Sequence, residues 1–152
     1  MKVIKAEDLQ AHVGTDLGIS EWIKIEQDRV NLFADVTEDH QFIHVDPEAA
    51  KKTPFGGPIA HGFLTLSLLA KFAEKGSIAI EGVNMGVNYG FEKVRFLAPV
   101  PSGSKIRGRF TLKSAVEKKP SQFLLTYEVT VDIDGQDKPA LIADWLAMLF
   151  TG

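Results

Sequence analysis

The chain has 152 residues, 45% of them hydrophobic and 24% charged, with a formal net charge of -3; this fits one globular domain whose core needs neither metal nor disulfide. With no cysteine, disulfides, thiolate nucleophiles and cysteine-ligated zinc are excluded. The slightly negative balance argues against a nucleic-acid partner, which is held by dense Lys/Arg patches.

The opening MKVIKAEDLQAHVG scatters its charges and has no leader-like apolar segment. No apolar run approaches the roughly 20 residues that span a bilayer, so a soluble, cytoplasmic protein with no membrane partner is expected. Residues 5–18 read as a short amphipathic opening, and the alternation over 21–25 reads as a strand. Val30, Phe33 and Ala34 at helical spacing predict a helix over 27–36. Phe42-Ile43-His44-Val45, rich in aromatic and β-branched residues, reads as extended. Pro47 suits the first turn of a small helix reaching about residue 51, with Asp46 as its cap. Two prolines and two glycines make 53–58 a loop.

The main helix is expected over 59–75, about 25 Å long. Phe63, Leu64, Leu66, Leu68, Leu69 and Phe72 cover most of its circumference, so it must be enclosed by other structure. Strands then follow over 83–100, 105–116, 122–134 and 140–150. Turn chemistry separates them at Pro101-Ser102-Gly103, Lys118-Lys119-Pro120-Ser121 and Asp134-Gly135. Consecutive strands on short connections predict an antiparallel meander. The fold class is therefore α+β, a sheet wrapped around one long central helix, with residues 1–152 as a single domain.

Residues 33–69 carry the chemistry. Asp39 and His44 lie five positions apart, and the apolar helix opens at His61-Gly62. The run Asp39-His40-Gln41-Phe42-Ile43-His44-Val45-Asp46, followed by Phe55-Gly56 and Pro58-Ile59-Ala60-His61-Gly62, resembles the MaoC-like (R)-specific enoyl-CoA hydratases. Within that family it is most similar to the branch related to nodulation protein N. Many members carry Asn-Pro where this chain has Gln41-Phe42. The resemblance implies a hot-dog fold, a homodimer or larger homo-oligomer, and hydration of trans-2-enoyl-CoA to (R)-3-hydroxyacyl-CoA. It implies no cofactor, with coenzyme A entering as part of the substrate. It also implies Asp39 and His44 as the catalytic pair and the Gly62 backbone N–H in the oxyanion hole. Gln41, His61 and Ser67 are further candidates to line the pocket.

The residue chemistry agrees with that implication. Adding water to a 2-enoyl thioester requires a group that takes a proton from water and one that protonates the α-carbon. A carboxylate and a neutral imidazole share both tasks near pH 7. Negative charge grows on the thioester oxygen, and a helix N-terminus offers unpaired N–H groups and a favourable dipole there. Plainer readings exist for each residue. Asp39 alone reads as a cap, His44 as a hydrogen-bonded core histidine, and His61 as a structural residue at the helix start. Ser67 reads as a hydroxyl bonded back to its own turn. His40 and His44 share metal-ligand spacing only on a continuous helix, which Pro47 and the extended reading of 42–45 oppose, so no metal is expected. Lys93, Arg95, Arg107 and Arg109 are candidates for coenzyme A phosphates and equally for a solvated strand face.

Two other functions compete. A hot-dog thioesterase would place a carboxylate on the central helix, and none lies between Gly62 and Phe72; Glu74 comes late. A non-catalytic acyl-thioester-binding module would need neither Asp39 nor His44.

Overall fold

The computed structural model describes residues 1–152. In chain order the elements are β1 (Lys2–Ile4), a 3-10 helix (Ala6–His12), β2 (Asp16–Ile19), β3 (Ile23–Lys24), α1 (Gln27–Thr37), α2 (Phe42–Val45) and α3 (Pro47–Ala50). Then come α4 (Gly62–Ser67), α5 (Leu69–Gly76), β4 (Ile78–Ile80), β5 (Val83–Phe96), β6 (Lys105–Lys119), β7 (Gln122–Ile133) and β8 (Leu141–Thr151). The large sheet runs β2-β6-β7-β8-β5, with β3 also paired to β6, and its pairings are antiparallel. β1 and β4 form a small parallel pair. No helix is long and apolar enough to cross a membrane.

Period-two alternation builds the core. Phe123, Leu125, Tyr127, Val129, Val131 and Ile133 of β7 all face inward. Ile106, Phe110 and Leu112 of β6 do the same. Against them lie Leu69 and Phe72 of α5, the latter fully buried, each such side chain contributing roughly 1.5–3 kcal/mol. The approach is close because Gly108 faces Phe72: a Cβ there would sit 2.9 Å from Phe72 Cβ.

The antiparallel sheet and central helix are as expected, but four details differ. First, β6, β7 and β8 form a meander, whereas β5 pairs with β8 and not with β6. Residues 97–104 are therefore a crossover. Its backbone is stitched to distant segments: Leu97 N–H donates to Ala140 O, Ala60 N–H to Val100 O, Ser102 N–H to Pro58 O and Gly103 N–H to Ile25 O. These tertiary hydrogen bonds satisfy amides that a direct β5–β6 hairpin would have used.

Second, Phe42–Val45 is one helical turn, not extended. Gln41 O accepts from His44 N–H at 3.0 Å and Phe42 O from Asp46 N–H at 3.0 Å. Third, the central helix begins at Gly62 rather than residue 59. Ile59 N–H is drawn to Ile43 O at 3.0 Å, and Ile59 bridges to Pro101. The helix is also interrupted at Leu68, where the Ser67 hydroxyl has donated to Phe63 O at 2.6 Å; such back-bonding disturbs the helical ladder.

Fourth, the chain itself does not enclose this helix on every side. Phe63 is 66% exposed. β5 is an edge strand that leaves Met85, Val87, Tyr89 and Phe91 exposed.

Candidate active site

Three local structures bring the site together. α1 ends at Thr37, whose hydroxyl donates to Phe33 O at 2.7 Å. Glu38 then takes the left-handed conformation (φ 61, ψ 23), which terminates the helix and sends the chain back toward the core. Asp39 follows, with its side chain 51% exposed. Its Oδ1 accepts the Gln41 N–H at 3.3 Å.

The single turn of α2 swings His44 inward, to 7% exposure. Gln27 of α1 fastens that turn by donating through Nε2 to His44 O at 2.7 Å. Next, Asp46 caps α3 by accepting Ala49 N–H at 3.1 Å, with Pro47 at the first helical position. This is the role expected for both.

His44 Nδ1 lies 2.7 Å from Ile59 O. A carbonyl can only accept, so Nδ1 carries the proton and Nε2 keeps a free lone pair. Burial holds the His44 pKa below the usual histidine value; the Ile59 hydrogen bond and Asp39 oppose this, and His61 adds to it. His44 is thus neutral at pH 7.

His61, 2% exposed, stacks on His44 with ring centroids 3.9 Å apart and planes 23° apart. Its Nε2–H donates to Asp39 O at 3.0 Å, and the same nitrogen lies 4.0 Å from Asp39 Oδ2. Asp39, His44 and His61 bring one polar atom each to within 4.8 Å of one another. This cluster is a poor metal site. Rings stacked face to face keep their in-plane lone pairs nearly parallel, so the two cannot meet on one ion at about 2.0–2.1 Å. His40, the other histidine of this stretch, is turned outward onto Asp35 at 2.9 Å.

Beside His44 lies a cavity of about 360 Å³. One wall is the start of α4, with Gly62, Phe63 and Thr65; the other is Phe96 and the crossover residues 97–100. Gly62 and Phe63 occupy the first turn of α4, where backbone N–H groups have no acceptor within the helix. Gly62 is exposed. His44 and the start of α4 thus line one cleft; Asp39 is not on its wall but brings a carboxylate oxygen to within 4.8 Å of the His44 and His61 rings.

The other candidates lie elsewhere. Gln41 is exposed at the mouth of α2 and acts on its neighbours through its backbone. His61 is packed behind His44 rather than on the cavity wall. Ser67 bonds back to Phe63 and faces a separate groove with Asn88, Gly90 and Trp145. Arg107 and Arg109 share Asp132, Arg109 bidentately at 2.8 and 3.1 Å, and Arg107 lies over the Trp22 ring at 4.3 Å. Lys93 and Arg95 are exposed on β5. Sequence reasoning missed Thr65 and the crossover wall. Thr65, three residues after Gly62 on the same helix face, had a readable signal; the wall did not, because strand order decides its position.

Residues 8–133 match the family model of the MaoC like domain. The chain belongs to the MaoC-like dehydratase family. Within this MaoC-like family, nodulation protein N of Rhizobium leguminosarum bv. viciae is 49% identical across 98% of this chain and 93% of its own length. The 3-hydroxyacyl-thioester dehydratase Z of Mycobacterium tuberculosis (strain H37Rv) is 46% identical over 137 residues, 90% of each protein. Among solved structures, the (R)-hydratase from A. caviae matches with a TM-score of 0.69 and 22% identity, over 88% of this chain and 96% of that one. That likeness carries the fold: like its MaoC-like neighbours, the chain has the hot-dog fold.

Proposed function

We propose that the protein is a hydro-lyase that reversibly hydrates trans-2-enoyl-CoA to (R)-3-hydroxyacyl-CoA. One observation carries this reading: His44, with an Asp39 carboxylate oxygen within 4.8 Å of its ring, lines a cavity that also borders the first turn of α4. The 46% identity to a protein named as a 3-hydroxyacyl-thioester dehydratase supports it.

In the hydration direction, Asp39 and His44 hold one water molecule between them. Water gives a proton to the pair, with His44 Nε2 the free acceptor, and its oxygen bonds to C3. The C2–C3 π electrons move toward the thioester carbonyl, whose oxygen gains charge against the Gly62 N–H and the positive end of α4. The proton held by the pair is then delivered to C2 on the same face, which restores both groups. Dehydration is the reverse sequence. No cofactor enters, and coenzyme A is part of the substrate. Gly62 lacks a Cβ, and the Phe96 ring packs into that space, so a larger residue here would push the ring into the cleft.

The working unit is at least a homodimer. An edge strand carrying four exposed large apolar residues, Met85, Val87, Tyr89 and Phe91, is a surface that natural sheets cover. The thioesterase alternative loses ground, because Glu74 is paired with Lys71 at 2.6 Å on α5 and is not on the wall of the His44 cavity.

The test is a panel of trans-2-enoyl-CoAs, followed by loss of the conjugated thioester absorbance and chiral analysis of the product. Folded protein that leaves every member unchanged ends this reading.

A further inference from the structure

We infer that His61 is a positioning residue, whose buried ring holds Asp39 and His44 in register through an N–H to the Asp39 carbonyl and a stack on the His44 imidazole. Its effect on turnover rests on the hydratase reading above; its effect on the two side chains does not.

Asp39 needs an external tether. It follows the left-handed Glu38, lies outside α1, and its side chain is half exposed. Besides the local contact to Gln41 N–H, the hydrogen bond that holds residue 39 is the one from His61 at 3.0 Å. His61 is in turn gripped by its surroundings. His44 lies on one ring contact at 3.9 Å and Phe33 of α1 on another at 4.9 Å. Burial and these contacts hold the ring, and the ring holds the Asp39 carbonyl.

The imidazole leaves a signature of this role. With Nε2 committed to Asp39 as a donor, Nδ1 is bare, buried and without a hydrogen-bond partner. A buried acceptor without a partner is destabilising. A phenylalanine of similar shape would remove that penalty, and with it the N–H to Asp39.

The stack has an electrical consequence for His44. The groups facing that ring are the Ile59 carbonyl and the Asp39 carboxylate, which favour its protonated form, and His61, which opposes it. From α1, only the neutral Gln27 carboxamide reaches it, at the backbone. Replacing His61 removes the stacked ring that opposes protonation of His44, so His44 should take up its proton at higher pH. Since the neutral ring is the working form, the acid limb of kcat/KM moves up with it.

The test uses the full chain, with His61→Phe and His61→Gln beside the parent. In the parent, ring-nitrogen NMR should find His61 protonated at Nε2 and bare at Nδ1; the opposite tautomer overturns the inference without any variant. In His61→Phe, the His44 titration midpoint should rise, and kcat on a trans-2-enoyl-CoA should fall about 10- to 100-fold with KM nearly unchanged. His61→Gln, which keeps an N–H for the Asp39 carbonyl, should recover part of kcat while keeping the raised midpoint. An unmoved His44 midpoint in whichever variant folds, or a kcat loss that merely follows Tm, refutes the role. If the parent itself turns over no enoyl thioester, the hydratase reading fails, while the tautomer and the midpoint still decide this one.

Discussion

The Phe96 ring lies directly against Gly62: a Cβ added at Gly62 would sit 2.9 Å from Phe96 Cε1 and 3.0 Å from Cδ1. Phe96 is 49% exposed and meets Phe63 edge to face at 5.8 Å. The ring can yield, but only by moving within the cleft that both residues border. Gly62→Ala should therefore fold normally and lose about 10- to 100-fold in kcat/KM. Adding Phe96→Ala should return part of that loss, with a coupling of roughly 0.5–3 kcal/mol in the double-mutant cycle. Strict additivity would separate the two residues.

Asp39→Asn keeps the size of the side chain and removes its proton-accepting power. Turnover should fall about 10²- to 10⁴-fold with a small change in KM. Because the side chain is half exposed, Tm should barely move. A loss of only a few-fold would mean that Asp39 is not in the proton path.

The pH dependence follows from His44. Its pKa in the folded chain lies below the ordinary value of 6.5, chiefly through burial. In the proposed reaction the neutral form is the base, so kcat/KM should stay level near pH 7 and fall only as pH drops through the depressed folded value. Stability has the same sign. Below about pH 6.5 the unfolded chain binds a proton that the folded chain resists, so this contribution is complete above 6.5 and is lost on acidification. Melting curves of the parent and His44→Gln across this range should show a shallower acid slope in the variant; equal slopes would contradict the assignment.

Val87→Lys places a charge on the exposed face of edge strand β5. Sedimentation should show the parent as a dimer or larger and the variant shifted toward monomer. A monomeric parent at working concentration would remove the assembly from the functional reading.

Gly108→Ala tests the contact between sheet and helix. The new methyl would stand 2.9 Å from Phe72 Cβ, close to the backbone of α5. Neither side can rotate away, so overpacking should cost about 1–3 kcal/mol, read as a lower Tm.

Much of this fold is legible from periodicity. Alternation in β6 and β7, the apolar face around Leu69 and Phe72, and Pro47 behind Asp46 each encode a local preference that packing reinforces. The failures share one cause. Phe42–Val45 has strand-like composition, yet hydrogen bonds from His44 N–H to Gln41 O and from Asp46 N–H to Phe42 O close it into a turn, and four residues are too few for periodicity to decide. Ile59 and Ala60 look helical until Ile43 and Val100 claim their amides. The partner of β5 depends on a crossover whose anchors are scattered from Ile25 to Ala140. Asp39, His44 and Gly62 were readable as a motif; the stack of His61 on His44 was not, because it exists only once two separate turns have been brought together.

That crossover also decides how the cleft behaves. One jaw is residues 97–100 and the other is residues 58–62, and the hydrogen bonds from Ala60 to Val100 and from Ser102 to Pro58 rivet the jaws together like a locked calliper. Opening such a gap would break these backbone bonds. Under the proposed hydratase reading, preference among acyl groups would be set by the side chains that line the gap, chiefly Phe96 and Thr65. Trimming those side chains, rather than loosening a loop, is the route to a changed preference.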